Sequence, residues 1–293
     1  MSLKKGYPIM IAGVGGAGKT ELAFDIILNS SMTHKWRWLI LSPETGVDDE
    51  ILEVMIEKLS RGKTVEQGRE NSMTAPEIEK IVHWLHRYYR ILDPIKSWKP
   101  LMSDKPLTME NFFQAVAEEE KTLGGKFDGI LIDPFNELDL ELIGGGTSSI
   151  VKDELDALIR WSKKGDYCPI LTNHVNDKRE VQAKSDNGTV YHWVPPARKE
   201  DWAFGQQFGR KGYQMLLVYE WHKFEQQKQS LEGDLAAQHS IEQGYNMRDV
   251  FVQKSKPKGV GRTGKFRLFF NRQEQRYYEI DSLGNKLKIR YPW

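Results

Sequence analysis

A single cysteine, Cys168, stands in the 293-residue chain. That excludes an internal disulfide and fits a reducing compartment. The chain also lacks any run of about 18 apolar residues, so no transmembrane helix is expected. Its opening stretch, MSLKKGYPIM, has no apolar segment of the signal-peptide kind. Neither sign of charge is in excess: 42 Lys and Arg oppose 41 Asp and Glu. This balance excludes a wholly basic nucleic-acid coat protein while leaving local patches open. The expectation is a soluble, cytoplasmic chain with no membrane partner, long enough for one large α/β domain.

Apolar runs alternate with helical patterns along the chain. Residues 7–12 read as a buried strand, followed by a glycine loop and a helix over about 19–29. A strand at 37–42 leads to a helix over about 48–60, where Ile51, Val54, Met55 and Leu59 recur at helical spacing. Residues 62–74 are polar and loop-like. Thr74-Ala75-Pro76-Glu77 has the make-up of a helix start, with Thr as N-cap and Glu three residues on. A strand near 88–92, a helix near 108–121, a strand at 129–132, a helix at 148–164 and a strand at 169–172 follow. Residues 176–200 are long, polar and loop-forming. Strands are expected near 215–221, 249–255, 264–270 and 275–279, with 222–247 as a Gln- and Glu-rich insertion. No internal repeat or domain linker breaks residues 1–293. The order favours one mixed α/β sheet, mostly parallel, flanked by helices and ending in an antiparallel β tail.

The chemistry begins at Gly13-Val14-Gly15-Gly16-Ala17-Gly18-Lys19-Thr20, which fits G-x-x-x-x-G-K-[ST] at every fixed position. In such a loop backbone N–H groups cradle phosphate oxygens, the lysine reaches the β and γ phosphates, and the hydroxyl ligates Mg²⁺. The flanking strand and helix are the context this motif needs. The alternative is a plain glycine turn. Phe127-Asp128-Gly129-Ile130-Leu131-Ile132-Asp133 is an apolar strand ending in a carboxylate, the pattern that supports a Mg²⁺ shell opposite a phosphate loop. Asn136, Glu137 and Asp139 follow closely, and Glu137 is a candidate base. Glu44 poses a separate question, for it follows the apolar strand Trp38-Leu39-Ile40-Leu41 in LILSPETG. It reads either as an acid favouring a helix N-terminus or, at the carboxyl end of a strand neighbouring the phosphate loop, as a catalytic carboxylate.

The ordered set GVGGAGKT, LILSPETG, GILIDPFNEL, ILTNHVND and VQKSKPKGVGRTG resembles the RecA-type ATPase core of replicative hexameric helicases, the phage primase-helicase, Twinkle and DnaB-like group. The resemblance spans about residues 5–280. It implies a RecA-like P-loop fold using ATP and Mg²⁺, in a bacterial or phage-infected cell, with single-stranded DNA as partner. It further implies a homo-oligomer, a hexamer, with a primase or other replication partner. Residue by residue, the resemblance puts the catalytic glutamate on Glu44, the metal-shell aspartate on Asp133 and the γ-phosphate sensor on His174. The pair that acts on a neighbouring subunit's ATP falls on Lys254 and Lys256, where the family has Lys-x-Arg. Lysine there supplies charge without the planar fork of arginine, and Arg262 is the nearby alternative. The chain opens almost on its first strand, so the primase or N-terminal domain and the preceding linker helix of those helicases are not expected within it.

The family's DNA loops line the ring's centre. The corresponding segment after His174 holds Lys178, Arg179, Lys184, Arg198 and Lys199, interleaved with Tyr191, His192 and Trp193. Cations neutralise phosphates, and each aromatic–base stack is worth roughly 1–3 kcal/mol. The alternative is a solvated loop with Trp193 packed back on the domain. Residues 201–212 resemble a second DNA-loop region. Two further functions stay open: a nucleotide-switched DNA-binding or loader ATPase that does not unwind, and a P-loop phosphotransferase.

Overall fold

The computed structural model describes residues 3–43, 50–66, 68–92, 108–135, 138, 147–176, 181–184, 190–193, 195–220, 246–257, 261–281 and 285–287. Their scaffold is a nine-stranded sheet. β1 (Ile9–Gly13), β2 (Trp38–Leu41), β3 (Tyr89–Leu92), β4 (Gly129–Ile132), β5 (Cys168–His174) and β8 (Gln214–Glu220) run parallel. A hairpin of β6 (Val181–Lys184) and β7 (Val190–Trp193) stands apart from the sheet. The tail strands β9 (Asn246–Ser255), β10 (Gly264–Asn271) and β11 (Arg276–Tyr278) continue the sheet antiparallel from β8, giving the order β11-β10-β9-β8-β1-β5-β4-β2-β3.

The parallel strands are apolar on both faces, because helices cover both. Ile9 and Ile11 point into one core layer with α1 (Lys19–His34), α2 (Glu50–Leu59) and α3 (Ala75–Tyr88). Met10 and Ala12 point into the other, with α4 (Met109–Leu123), α5 (Thr147–Gly165) and α6 (Gly205–Lys211). Phe24, Ile27 and Leu28 fix α1 to the first layer, each contributing roughly 1.5–3 kcal/mol by leaving water. α3 starts where its sequence says it should: the Thr74 backbone N–H donates to Glu77 Oε2 at 2.9 Å. That bond and the Lys63 ammonium hold the Glu77 carboxyl down at about 2, the lysine being the larger cause. Trp38 is fully buried and pairs in register with Gly129; a Cβ at that glycine would collide with the indole ring, so only glycine fits.

Several expectations are refined. α1 runs five residues beyond Asn29, to His34, where Lys35 ends it in the left-handed conformation with φ 61°. The stretch 176–200, expected as loop throughout, contains the β6–β7 hairpin. Asn246 and Met247 belong to β9 rather than to the insertion, and residues 221–245 lie outside the described residues. Strands β1 and β2 are not neighbours, because β5 and β4 stand between them. No helix among the described residues is long and apolar enough to cross a membrane.

Candidate active site

The chain turns from β1 to β2 on one side and from β5 across β1 to β8 on the other, so the strand order reverses around β1. Such a reversal opens a crevice at the carboxyl ends of the strands. Gly13–Thr20 fills that position, between the last residue of β1 and the first turn of α1. Gly16 and Gly18 hold φ of 70° and 90°, values that glycine adopts without penalty. Gly13 is needed for another reason, since a Cβ there would lie 2.8 Å from the Val218 carbonyl oxygen. A Cβ at Gly15 would meet nothing within 4 Å, which leaves that side of the loop open for a ligand.

Lys19 is buried, and its Nζ donates to the Val14 carbonyl at 3.2 Å while lying 3.4 Å from His174 Nδ1. The register explains the second contact: His174 ends β5 directly beside Gly13. Asp133 ends β4, one strand further out, and is likewise buried. Its Oδ1 accepts a hydrogen bond from Thr172 Oγ1. Its backbone N–H donates to the Leu41 carbonyl at 2.9 Å, and its carbonyl accepts from Ser42 Oγ at 2.8 Å. The ends of β2, β4 and β5 are thus laced together at one rim of the crevice. Glu44, two residues past Ser42, lies outside the described residues, as do Asn136, Glu137 and Asp139.

These residues fit a nucleoside triphosphate with Mg²⁺. An open glycine nest, a buried lysine at its mouth and one hydrogen-bonded carboxylate are the parts such a ligand uses. Mg²⁺ on phosphates needs only one or two protein oxygens, in keeping with the absence of any three-acid or histidine cluster among the described residues.

His174 also faces away from the loop through its backbone. Its carbonyl accepts from the Ala203 N–H at 2.9 Å, and Asn173 Nδ2 donates to the Ala203 carbonyl at 2.7 Å. Val175 bridges Trp202, and the Asn176 N–H donates to the Asp201 carbonyl at 2.8 Å. Residues 201–212, expected as a polar helix or loop, are tied down by buried Trp202 and Phe208. Arg198 and Lys199 are exposed beside this junction. Lys178 and Arg179 lie outside the described residues, and Lys184 pairs in backbone register with Val190. The hairpin had a legible signal, the Asn187-Gly188 pair between two β-prone stretches.

Of the basic stretch in the tail, part is spent internally. Lys265 and Arg267 hold the fully buried Asp249 at 3.1 and 2.8 Å. Lys254 Nζ donates to the Gly209 carbonyl at 2.7 Å and the Arg210 carbonyl at 3.3 Å, closing the carboxyl end of α6. Burial first, then the neighbouring Lys256 and Lys199, lower its affinity for a proton. Lys256 and Arg262 are exposed. Lys254 pairs with Met215, which pairs with Met10. It therefore sits three residues before Gly13 in strand register, about 10 Å toward the opposite end of the sheet.

Sequence reasoning missed a buried charged network beneath the phosphate loop. Asp25 on α1 accepts from the Tyr277 N–H at 2.7 Å and faces Lys58 and Arg276, each at 3.4 Å. Lys58, wholly buried, also pairs with Glu21 at 2.5 Å. Arg248 meets Glu220 across β8 and β9 at 2.9 Å. A lysine amid Met55, Ile56 and Leu59 was the only hint of this in the sequence. Cys168 belongs to no such chemistry, because burial pushes its thiol up to about 12.

No protein-family model matches the chain, and no curated protein sequence does. Solved structures do. One described as a DnaB-like replicative helicase and its interactions with primase matches with a TM-score of 0.66 at 13% identity over 94% of this chain. The chain spans 59% of that protein's length. A second structure, described as an isolated ATPase domain, matches with a TM-score of 0.66 at 12% identity, over 95% of this chain and 86% of that one. The RadB recombinase matches with a TM-score of 0.53 at 13% identity, over 95% and 93%.

Proposed function

From a chain that has the RecA-type ATPase-core fold, we propose an ATP-hydrolysing motor core that acts on single-stranded DNA as part of a ring, a hexamer, in replication. The observation that carries this reading is the junction at His174. Its ring lies 3.4 Å from the phosphate-loop lysine, while its carbonyl holds Ala203 and its strand continues toward the hairpin. A group that feels a phosphate at Lys19 is thereby linked by two residues of backbone to the segment proposed to touch DNA.

In this account the N–H groups of Gly13–Thr20 and the Lys19 ammonium hold the phosphates. Thr20 and Asp133 would hold Mg²⁺, which supplies charge neutralisation at the β and γ phosphates. Glu44 orients and deprotonates the attacking water. Arg198 and Lys199, with Lys178, Arg179 and Lys184, contact the DNA backbone. Lys256 or Arg262, at the sheet end remote from the chain's own phosphate loop, completes the site of the next subunit. Lys254 could join them only by giving up its two bonds to α6.

That engagement of Lys254 favours a second reading. A core with a slow or incomplete trans contact suits a nucleotide-switched, non-unwinding DNA-binding or loader ATPase, and the RadB likeness accords with it. A forked DNA substrate separates the two. The motor reading expects ATP-dependent displacement of the paired strand, abolished by a non-hydrolysable analogue. ATP-dependent binding to single strands without displacement would favour the switch and overturn the motor.

A further inference from the structure

The tail strands reach the phosphate loop from beneath. Arg248 Nε donates to the Ala17 carbonyl at 2.9 Å, and the Tyr277 hydroxyl lies 3.4 Å from the Gly18 carbonyl. Both side chains are buried. A Cβ at Gly18 would collide with the Tyr277 hydroxyl and come within 3.6 Å of Arg248 Nε, so the two groups press directly on the loop. Arg248 is itself held by Glu220 at 2.9 Å, and Tyr277 by its N–H on Asp25 at 2.7 Å.

Peptide geometry gives these contacts a consequence. In a planar trans peptide the carbonyl and the following N–H point opposite ways. Turning the Ala17 carbonyl onto Arg248 therefore turns the Gly18 N–H away from the tail. Turning the Gly18 carbonyl toward Tyr277 does the same for the Lys19 N–H. Those are two of the donors that such a loop offers to phosphate.

We propose that Arg248, assisted by Tyr277, is a positioning residue: from the antiparallel tail it holds the phosphate loop in its anion-binding shape before ligand arrives. The inference rests on the reading of Gly13–Thr20 as a nucleotide site. A loop that must first be ordered binds with affinity reduced by the fraction of time it is competent. Once bound, it has the native shape. Loss of Arg248 should thus weaken nucleotide binding while leaving turnover at saturation nearly intact.

Removing Arg248 alone would strand the Glu220 carboxylate, so the test replaces both: Arg248→Met with Glu220→Gln. Arg248→Lys keeps the charge but cannot bridge Glu220 and Ala17 together. Mg·ADP binding is measured by titration calorimetry, thermal unfolding without nucleotide, and kcat and KM for ATP. The expected result is about tenfold weaker ADP binding and higher KM, with kcat within about twofold and an unfolding temperature near the parent's. Arg248→Lys should fall between. If the parent binds ADP and both folded variants bind it equally well, the inference is overturned. A kcat that falls in step with binding would also overturn it, by showing a general structural defect. If the double variant does not fold, Arg248→Lys and Tyr277→Phe decide on the same readings. A parent that binds no Mg·ADP would instead sink the nucleotide-site reading itself.

Discussion

Lys19→Met is expected to weaken Mg·ATP binding by roughly 10- to 150-fold, the loss of one charge-assisted hydrogen bond of about 1.5–3 kcal/mol. Turnover should fall further, by on the order of 10²–10³, because charge grows on the transferred phosphoryl oxygens as the bond breaks. The structure explains why lysine has no stand-in. Lys19 is only 7% exposed, and its ammonium is steered by the Val14 carbonyl and His174. Methionine keeps the apolar stem and removes only the charge, so the far-ultraviolet circular dichroism should not change. Calorimetric titration with Mg·ATP and a phosphate-release assay check both figures. Parent-like binding by the variant would mean that phosphate sits elsewhere.

Glu44→Gln is expected to separate binding from chemistry. Removing a general base costs typically about 10²–10⁴ in rate, while the glutamine side chain has the same size and should leave ATP affinity within about threefold of the parent. The placement of the preceding residues favours this outcome. Ser42 is hydrogen-bonded to the backbone of Asp133, so the chain leaves β2 at the same rim of the crevice as the metal-shell carboxylate. The separation of β2 from β1 by β5 and β4 sets Glu44 across the crevice from the phosphate loop rather than beside it. A water-activating group belongs opposite the phosphates. Single-turnover hydrolysis together with nucleotide titration makes the distinction. If Glu44→Gln hydrolyses ATP at the parent's rate, Glu44 is an acid favouring the start of α2, worth about 0.3–1 kcal/mol. The base would then be sought near Asp133, with Glu137 first.

The elements legible from sequence were those with strong local signals. The phosphate loop carries its own geometry in its glycines. α3 announces itself with Thr74 and Glu77, and the apolar strands Ile9–Gly13 and Gly129–Ile132 are too short and too uniformly buried to be helices. Strand order was not legible, since nothing local says that β5 and β4 insert between β1 and β2. Long-range polar pairing was equally hidden. Arg248 and Ala17 are 231 residues apart in the chain, and Tyr277 and Gly18 are 259 apart. Likewise the basic stretch 254–272 looked like one solvated surface, whereas the fold turns Lys265 and Arg267 onto Asp249 and Lys254 onto α6. Composition states how many charges there are; only topology states which of them are engaged.

The most direct test of the central claim is phosphate release from ATP by the purified chain with Mg²⁺ and no acceptor, with and without single-stranded DNA. The account predicts Mg²⁺-dependent release that single-stranded DNA raises several-fold, through the path from DNA-contacting residues to Ala203, His174 and Lys19. Release that appears only when a small-molecule acceptor is added, or that DNA leaves unchanged, would contradict it.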